Sequence, residues 1–97
     1  MKTKEEIINI LKKELPFLKE KYGEKKIGIF GSYSKEMQDE KSDLDILVQF
    51  ERPIGLFDFI TLEDYLTEKL GIKVDLVTED AVKSVIKPYI MREVLYV

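Results

Sequence analysis

The chain has 97 residues, enough for one domain built on a single sheet, with no room for a separate substrate-binding domain. It has neither cysteine nor histidine, which excludes disulfides, thiolate or imidazole metal ligands, and thiol or imidazole catalysis. The formal net charge of −3 lacks the basic excess of a duplex-binding surface and no apolar run has membrane length, so a cytoplasmic protein without nucleic-acid or membrane contact is expected.

Thr3-Lys4-Glu5-Glu6 is a capping-box signature. Ile7, Ile8, Ile10, Leu11, Leu15 and Leu18 then fall on one helical face, and the many lysines of this region read as its solvated side. Pro16 predicts a break or kink near Leu15, and Gly23 a C-terminal cap. Residues 26–30 read as a strand ended by Gly31-Ser32, followed by a helical turn to about Met37 and a polar loop over 38–41. Leu44 to Phe50 is the second strand. After Pro53 and Gly55, Leu56, Phe59, Leu62, Leu66 and Leu70 recur at helical spacing up to a cap at Gly71. Residues 73–77 form the third strand, and Thr78 is placed to N-cap a helix starting at Glu79. Pro88 divides that region, and residues 89–97 are ambiguous between helix and strand. The fold class is α/β (α+β): a small mixed three-stranded sheet, with room for a fourth short C-terminal strand, packed with about four helices. Leu56, Phe57, Phe59 and Tyr65 read as core rather than as an apolar surface for self-association or a partner.

The second strand carries the chemistry. Alternation puts Asp43, Asp45 and Leu47 on one face and Leu44, Ile46 and Val48 on the other, toward the core. The two carboxylates then lie about 6–7 Å apart and repel by roughly 2.5 kcal/mol at an effective dielectric of 20. A strand needing only solubility has cheaper choices, whereas a divalent cation turns that repulsion into binding. On the third strand Val74 and Leu76 face the core and Asp75 the other way. If the strands are neighbours, three carboxylates form an oxygen-only site suited to a pair of Mg²⁺ or Mn²⁺ ions, able to clamp a phosphoryl group. Gly31-Ser32, at a strand-to-turn junction, offers N–H groups and a hydroxyl to phosphates, and Lys35 adds positive charge one turn on.

Gly31-Ser32, ten intervening residues, then Asp43-Leu44-Asp45 resembles the signature of the DNA polymerase β-like nucleotidyltransferases. From Gly28 to Val82, and again in the closing run Arg92 to Val97, the chain is similar to the minimal nucleotidyltransferase (MNT) family. The resemblance implies that Gly31 and Ser32 hold nucleotide phosphates, that Asp43, Asp45 and Asp75 bind the catalytic metals, and that Asp75 also serves as base. It implies an antitoxin that transfers AMP from ATP to a tyrosine of a partner toxin of the HEPN ribonuclease class; the expected assembly is a homo-oligomer or a hetero-oligomer with that toxin. Family members often read Gly-Ser-Tyr-Ala-Arg-Gly-Glu where this chain has Gly31-Ser32-Tyr33-Ser34-Lys35-Glu36-Met37. Lys35 keeps the charge of the usual Arg but loses its bidentate fork, and Glu36 replaces a flexible Gly.

Two other readings compete with this one. A non-catalytic antitoxin would block the toxin sterically; the intact aspartates argue against it, and Lys35 and Glu36 favour it. A transferase acting on a small molecule would need the second domain that the chain lacks.

Overall fold

The computed structural model describes residues 2–97. Helix α1 (Lys4–Tyr22) is followed by strands β1 (Glu24–Phe30) and β2 (Leu44–Phe50), helix α2 (Leu56–Leu70) and strand β3 (Val74–Thr78). A 3₁₀ turn (Glu79–Ala81), helix α3 (Lys87–Glu93) and the two-residue strand β4 (Leu95–Tyr96) complete the chain. The four strands form one mixed sheet in the order β3-β2-β1-β4. β1 runs antiparallel to β2 and β4, and β2 runs parallel to β3, with α2 as the crossover between them.

The predicted helical face becomes the core. Ile7, Leu11 and Leu18 of α1 are buried with Leu62, Leu66 and Leu70 of α2 against Ile27, Ile29, Leu44, Ile46, Val48, Val74 and Leu76 of the sheet. The capping box forms as the sequence requires: Glu6 N–H donates to Thr3 Oγ1 at 3.2 Å, and Thr3 N–H donates to Glu6 Oε1 at 3.2 Å. Phe59 and Tyr65 pack partly buried against the core, whereas Leu56 and Phe57 are exposed, contrary to the expectation of core.

Three element expectations need correction. First, α1 does not break near Leu15 but continues through Pro16. Pro16 leaves the Lys12 carbonyl without its usual donor, but both residues lie on the exposed side, open to solvent. Leu11 and Leu18, buried on either side, hold the helix on the sheet. Second, Thr78 starts no α-helix. It pairs with Val48 as the last residue of β3, its side chain makes no capping bond, and the 3₁₀ turn ends at the extended Val82. Third, β1 begins at Glu24, through an irregularity between Glu24 and Lys26 that the charged sequence there conceals.

The ambiguous C-terminal segment resolves into both forms, helix to Glu93 and then strand. The fourth strand depends on Gly28: a Cβ there would lie 2.7 Å from the Leu95 carbonyl oxygen, so only glycine lets β4 approach β1.

Candidate active site

The register of the sheet makes the site. Asp45 lies directly opposite Asp75 in the parallel β2–β3 ladder, so their side chains share one face of neighbouring strands. β3 is an edge strand, and α2 fixes it there. Val74 N–H donates to Thr67 Oγ1 at 3.0 Å and Leu76 N–H donates to Glu63 Oε2 at 2.8 Å, satisfying the open N–H groups on either side of Asp75. Leu47, expected on the aspartate face, is buried yet stands outside the main core cluster. The aspartate face is therefore closed at the level of Leu47 and open only toward Asp45 and Asp43.

Asp45 is partly buried, and its carboxyl is pushed up to about 6. Burial is the largest cause, followed by the Asp75 charge, the Asp43 charge, the hydrogen-bonding approach of Asp75 and the Glu93 charge. Asp43, at the mouth of β2, is more exposed and lies 4.0 Å from Lys73 Nζ. It borders a cleft of about 700 Å³ with Tyr33, Lys41 and Lys73, while Asp45 and Asp75 border one of about 400 Å³ with Phe30, Val77, Ile86 and Ile90. The structure thus joins Asp45 to Asp75 and leaves Asp43 beside them, turned toward Lys73. Among the described residues, no three acidic side chains close into a ready cation cage. The donor set still fits Mg²⁺ or Mn²⁺: all its ligands are oxygens, its negative charge is crowded, and the exposed Asp43–Lys73 pair costs little to open.

The turn after β1 forms as expected. Lys35 N–H donates to the Gly31 carbonyl at 3.2 Å, Met37 N–H to the Ser32 carbonyl at 2.8 Å, and Ser34 Oγ to the Gly31 carbonyl at 2.9 Å. Tyr33 is buried and belongs to the core cluster, which anchors the turn. Gly31 has φ +74°, and a Cβ there would overlap Asp45 Oδ2. The glycine therefore brings the turn's backbone against the acidic pair. Glu36 also lies in the left-handed region, at φ +58°, a conformation that favours glycine.

Sequence reasoning assigned no role to Glu93. Its Oε1 accepts from Gly31 N–H at 3.1 Å and its Oε2 lies 2.8 Å from Lys35 Nζ, so one carboxylate spans both groups assigned to phosphate. The clue lay in Gly28: a glycine inside a strand marks a close backbone approach, and β4, which that approach admits, sets Glu93 beside Gly31.

A strand-borne acidic pair abutting a Gly-Ser turn, on a small mixed sheet backed by two helices, defines a nucleotidyltransferase. The chain belongs to the nucleotidyltransferase domain family, whose model matches residues 8–97, and within it to the minimal nucleotidyltransferases. MntA of Thermococcus cleftensis, named a protein adenylyltransferase, is 47% identical over 97 residues that cover 100% of this chain and 98% of that protein. A solved structure of the minimal nucleotidyltransferase type superposes with a TM-score of 0.78 at 30% identity, covering 93% of this chain and 92% of that one. A solved toxin–antitoxin structure with AMP-PNP superposes with a TM-score of 0.71 at 26% identity, covering 96% of this chain and 70% of that one.

Proposed function

We propose that this nucleotidyltransferase is the antitoxin of a two-component pair and transfers AMP from ATP to a tyrosine hydroxyl of a HEPN-class toxin. The observation that carries the reading is the placement of Asp45 and Asp75 side by side against the Gly31 turn. Support also comes from the adenylyltransferase name of MntA and from the nucleotide analogue in the toxin–antitoxin relative.

The acceptor oxygen attacks the α-phosphorus in line with the bridging oxygen to the β-phosphate. A new oxygen–phosphorus bond forms as that bridge breaks, and pyrophosphate leaves. Gly31 N–H, the Ser32 hydroxyl and Lys35 hold the phosphates by charge-assisted hydrogen bonds. Asp43, Asp45 and Asp75 would hold a pair of Mg²⁺ or Mn²⁺ ions. When bound, these ions neutralise the charge that develops on the transferred and leaving phosphates. Asp75 is exposed at the cleft edge, where it takes the acceptor's proton. The partly buried Asp45 is less accessible to an acceptor.

The test is incubation with the partner toxin, ATP and Mg²⁺, followed by intact-mass measurement of the toxin. A gain of one or more AMP units is expected, lost with Asp45→Asn although that variant still binds the toxin. Silencing without a mass gain, equal in wild type and Asp45→Asn, establishes the steric blocker instead.

A further inference from the structure

The Gly31 turn presents two groups suited to an anion, the Gly31 N–H and the Lys35 ammonium, and the chain's own Glu93 carboxylate already contacts both. Glu93 does not reach them by chance of a long side chain. It is the last residue of α3, and Leu95 and Tyr96 just beyond it pair with Ile29 and Gly28 of β1. The β-ladder therefore holds the end of α3 over the end of β1. Lys35 and the Gly31 N–H hold the Glu93 carboxyl below its ordinary range, against the opposing effect of burial. The charged form is the one seated there. The same charge adds to the repulsion on Asp45.

We propose that Glu93 is a tethered anion that occupies the phosphate place of the Gly31–Lys35 turn and must be displaced by the incoming nucleotide, so that it sets nucleotide affinity. The proposal rests on the assignment of this turn to phosphate. It makes Glu93 a positioning residue acting through Gly31 and Lys35. A carboxylate and a phosphate oxygen make the same charge-assisted bonds to an N–H and an ammonium, so the two compete for one seat. While the seat is taken by Glu93, Lys35 stays ordered and the acidic pair keeps an extra negative neighbour. Once a phosphate displaces it, Glu93 moves from the turn and the repulsion on Asp45 falls.

Inorganic tripolyphosphate is the probe, since it carries phosphate chemistry without adenosine or acceptor. Its affinity for wild type, Glu93→Gln and Glu93→Asp is measured by titration calorimetry, alongside each protein's thermal unfolding midpoint. Glu93→Gln keeps the shape but drops the charge, so it is expected to bind about five- to tenfold tighter while melting lower. Glu93→Asp keeps the charge on a shorter arm and should fall between. A merely structural Glu93 would instead lower stability and affinity together. Equal or weaker binding by Glu93→Gln, or no binding by either protein, overturns the proposal. If Glu93→Gln fails to fold, carbon NMR of the wild-type side-chain carboxyls decides. The Glu93 signal should shift as tripolyphosphate saturates, and a signal that stays fixed while the Gly31 amide moves overturns displacement. Tighter tripolyphosphate binding in Glu93→Gln, with no AMP transfer to the toxin, would sink the transfer reading and leave the Glu93 proposal standing.

Discussion

The metal-binding role proposed for Asp45 would set function against stability in a single side chain. Its carboxyl titrates near 3.8 in the absence of perturbation and about 6 in the fold, so the folded protein holds the proton more tightly than the unfolded chain does. The associated stability is fully present below about pH 4 and is lost as pH rises through about 6. Water screening at this partly exposed cleft keeps the loss on the order of 1 kcal/mol. Asp45→Asn, in metal-free buffer, should therefore be more stable than wild type at pH 8 by that amount and nearly equal to it at pH 4. Urea unfolding at the two pH values checks this, and a pH-independent difference would show that the charge is not the cause. Glu36 makes a smaller case of the same kind. Its left-handed backbone costs about 1–2 kcal/mol, of which a glycine's added chain entropy returns about 0.5–1. Its exposed ion pair with Lys4, at 3.3 Å, offsets little of this. Glu36→Gly should stabilise the protein by about 0.5 kcal/mol, and more in high salt, where that pair is screened. Chemical denaturation at low and high salt reads both numbers. The faces of Asp45 and Asp75 were legible because alternation along a strand is rigid and their neighbours assign them, whereas Asp43 precedes β2 and its turn toward Lys73 was not. Glu93 was not legible, because its place is fixed by β4 docking rather than by local pattern.

At the scale of elements, sequence punctuation succeeded where local chemistry decides and failed where tertiary packing overrides it. The Thr3–Glu6 box and the Gly23 and Gly71 caps are local and appear where expected, as does β2 from Leu44 to Phe50. Pro16 is the opposite case. Its cost is about 3 kcal/mol in an isolated helix interior, yet Leu11 and Leu18 hold both halves of α1 on the same sheet face. Pro16→Ala should restore the N–H to the Lys12 carbonyl and raise stability by about 1–3 kcal/mol, the lower end applying if the native helix has already adjusted to the ring. The exposure of Pro16 means that no core contact is lost. An unchanged or lowered unfolding midpoint in denaturant would show that the ring itself is used in packing. Thr78 is a mixed case: it precedes a helical turn starting at Glu79 as expected, but that turn is 3₁₀ and short, and the strand pairs Thr78 with Val48 while its side chain makes no cap.

Across the whole molecule, the order β3-β2-β1-β4 puts the aspartate-bearing strands side by side at one edge and the strand that carries Glu93 into place at the other. Charges that no single element could gather thus meet over β1 and β2. The sequence supplied the faces of the strands but not their order: nothing local says that β3 lies beside β2 rather than beyond β1. The two helices back the apolar face of the sheet, and the C-terminal segment borders the other. The crowding of carboxylates on that second face has a consequence for the folded state as a whole. A divalent cation that binds only the native arrangement stabilises it by RT ln(1 + [L]/Kd), about 2.7 kcal/mol at a hundredfold excess over Kd. Mg²⁺ should therefore raise the unfolding midpoint at pH 8, where Asp45 is ionised, and raise it much less at pH 5, where a proton competes for the same carboxyl. Asp43→Asn should weaken this response while leaving the metal-free protein at least as stable, because Asp43 contributes repulsion to Asp45 and only a long, exposed pair with Lys73. Differential scanning fluorimetry over a Mg²⁺ series at both pH values measures all four cases. A metal response that is the same at pH 5 and pH 8, or an Asp43→Asn protein that unfolds without metal, would remove the acidic cluster from the role assigned to it and make Asp43 a structural residue.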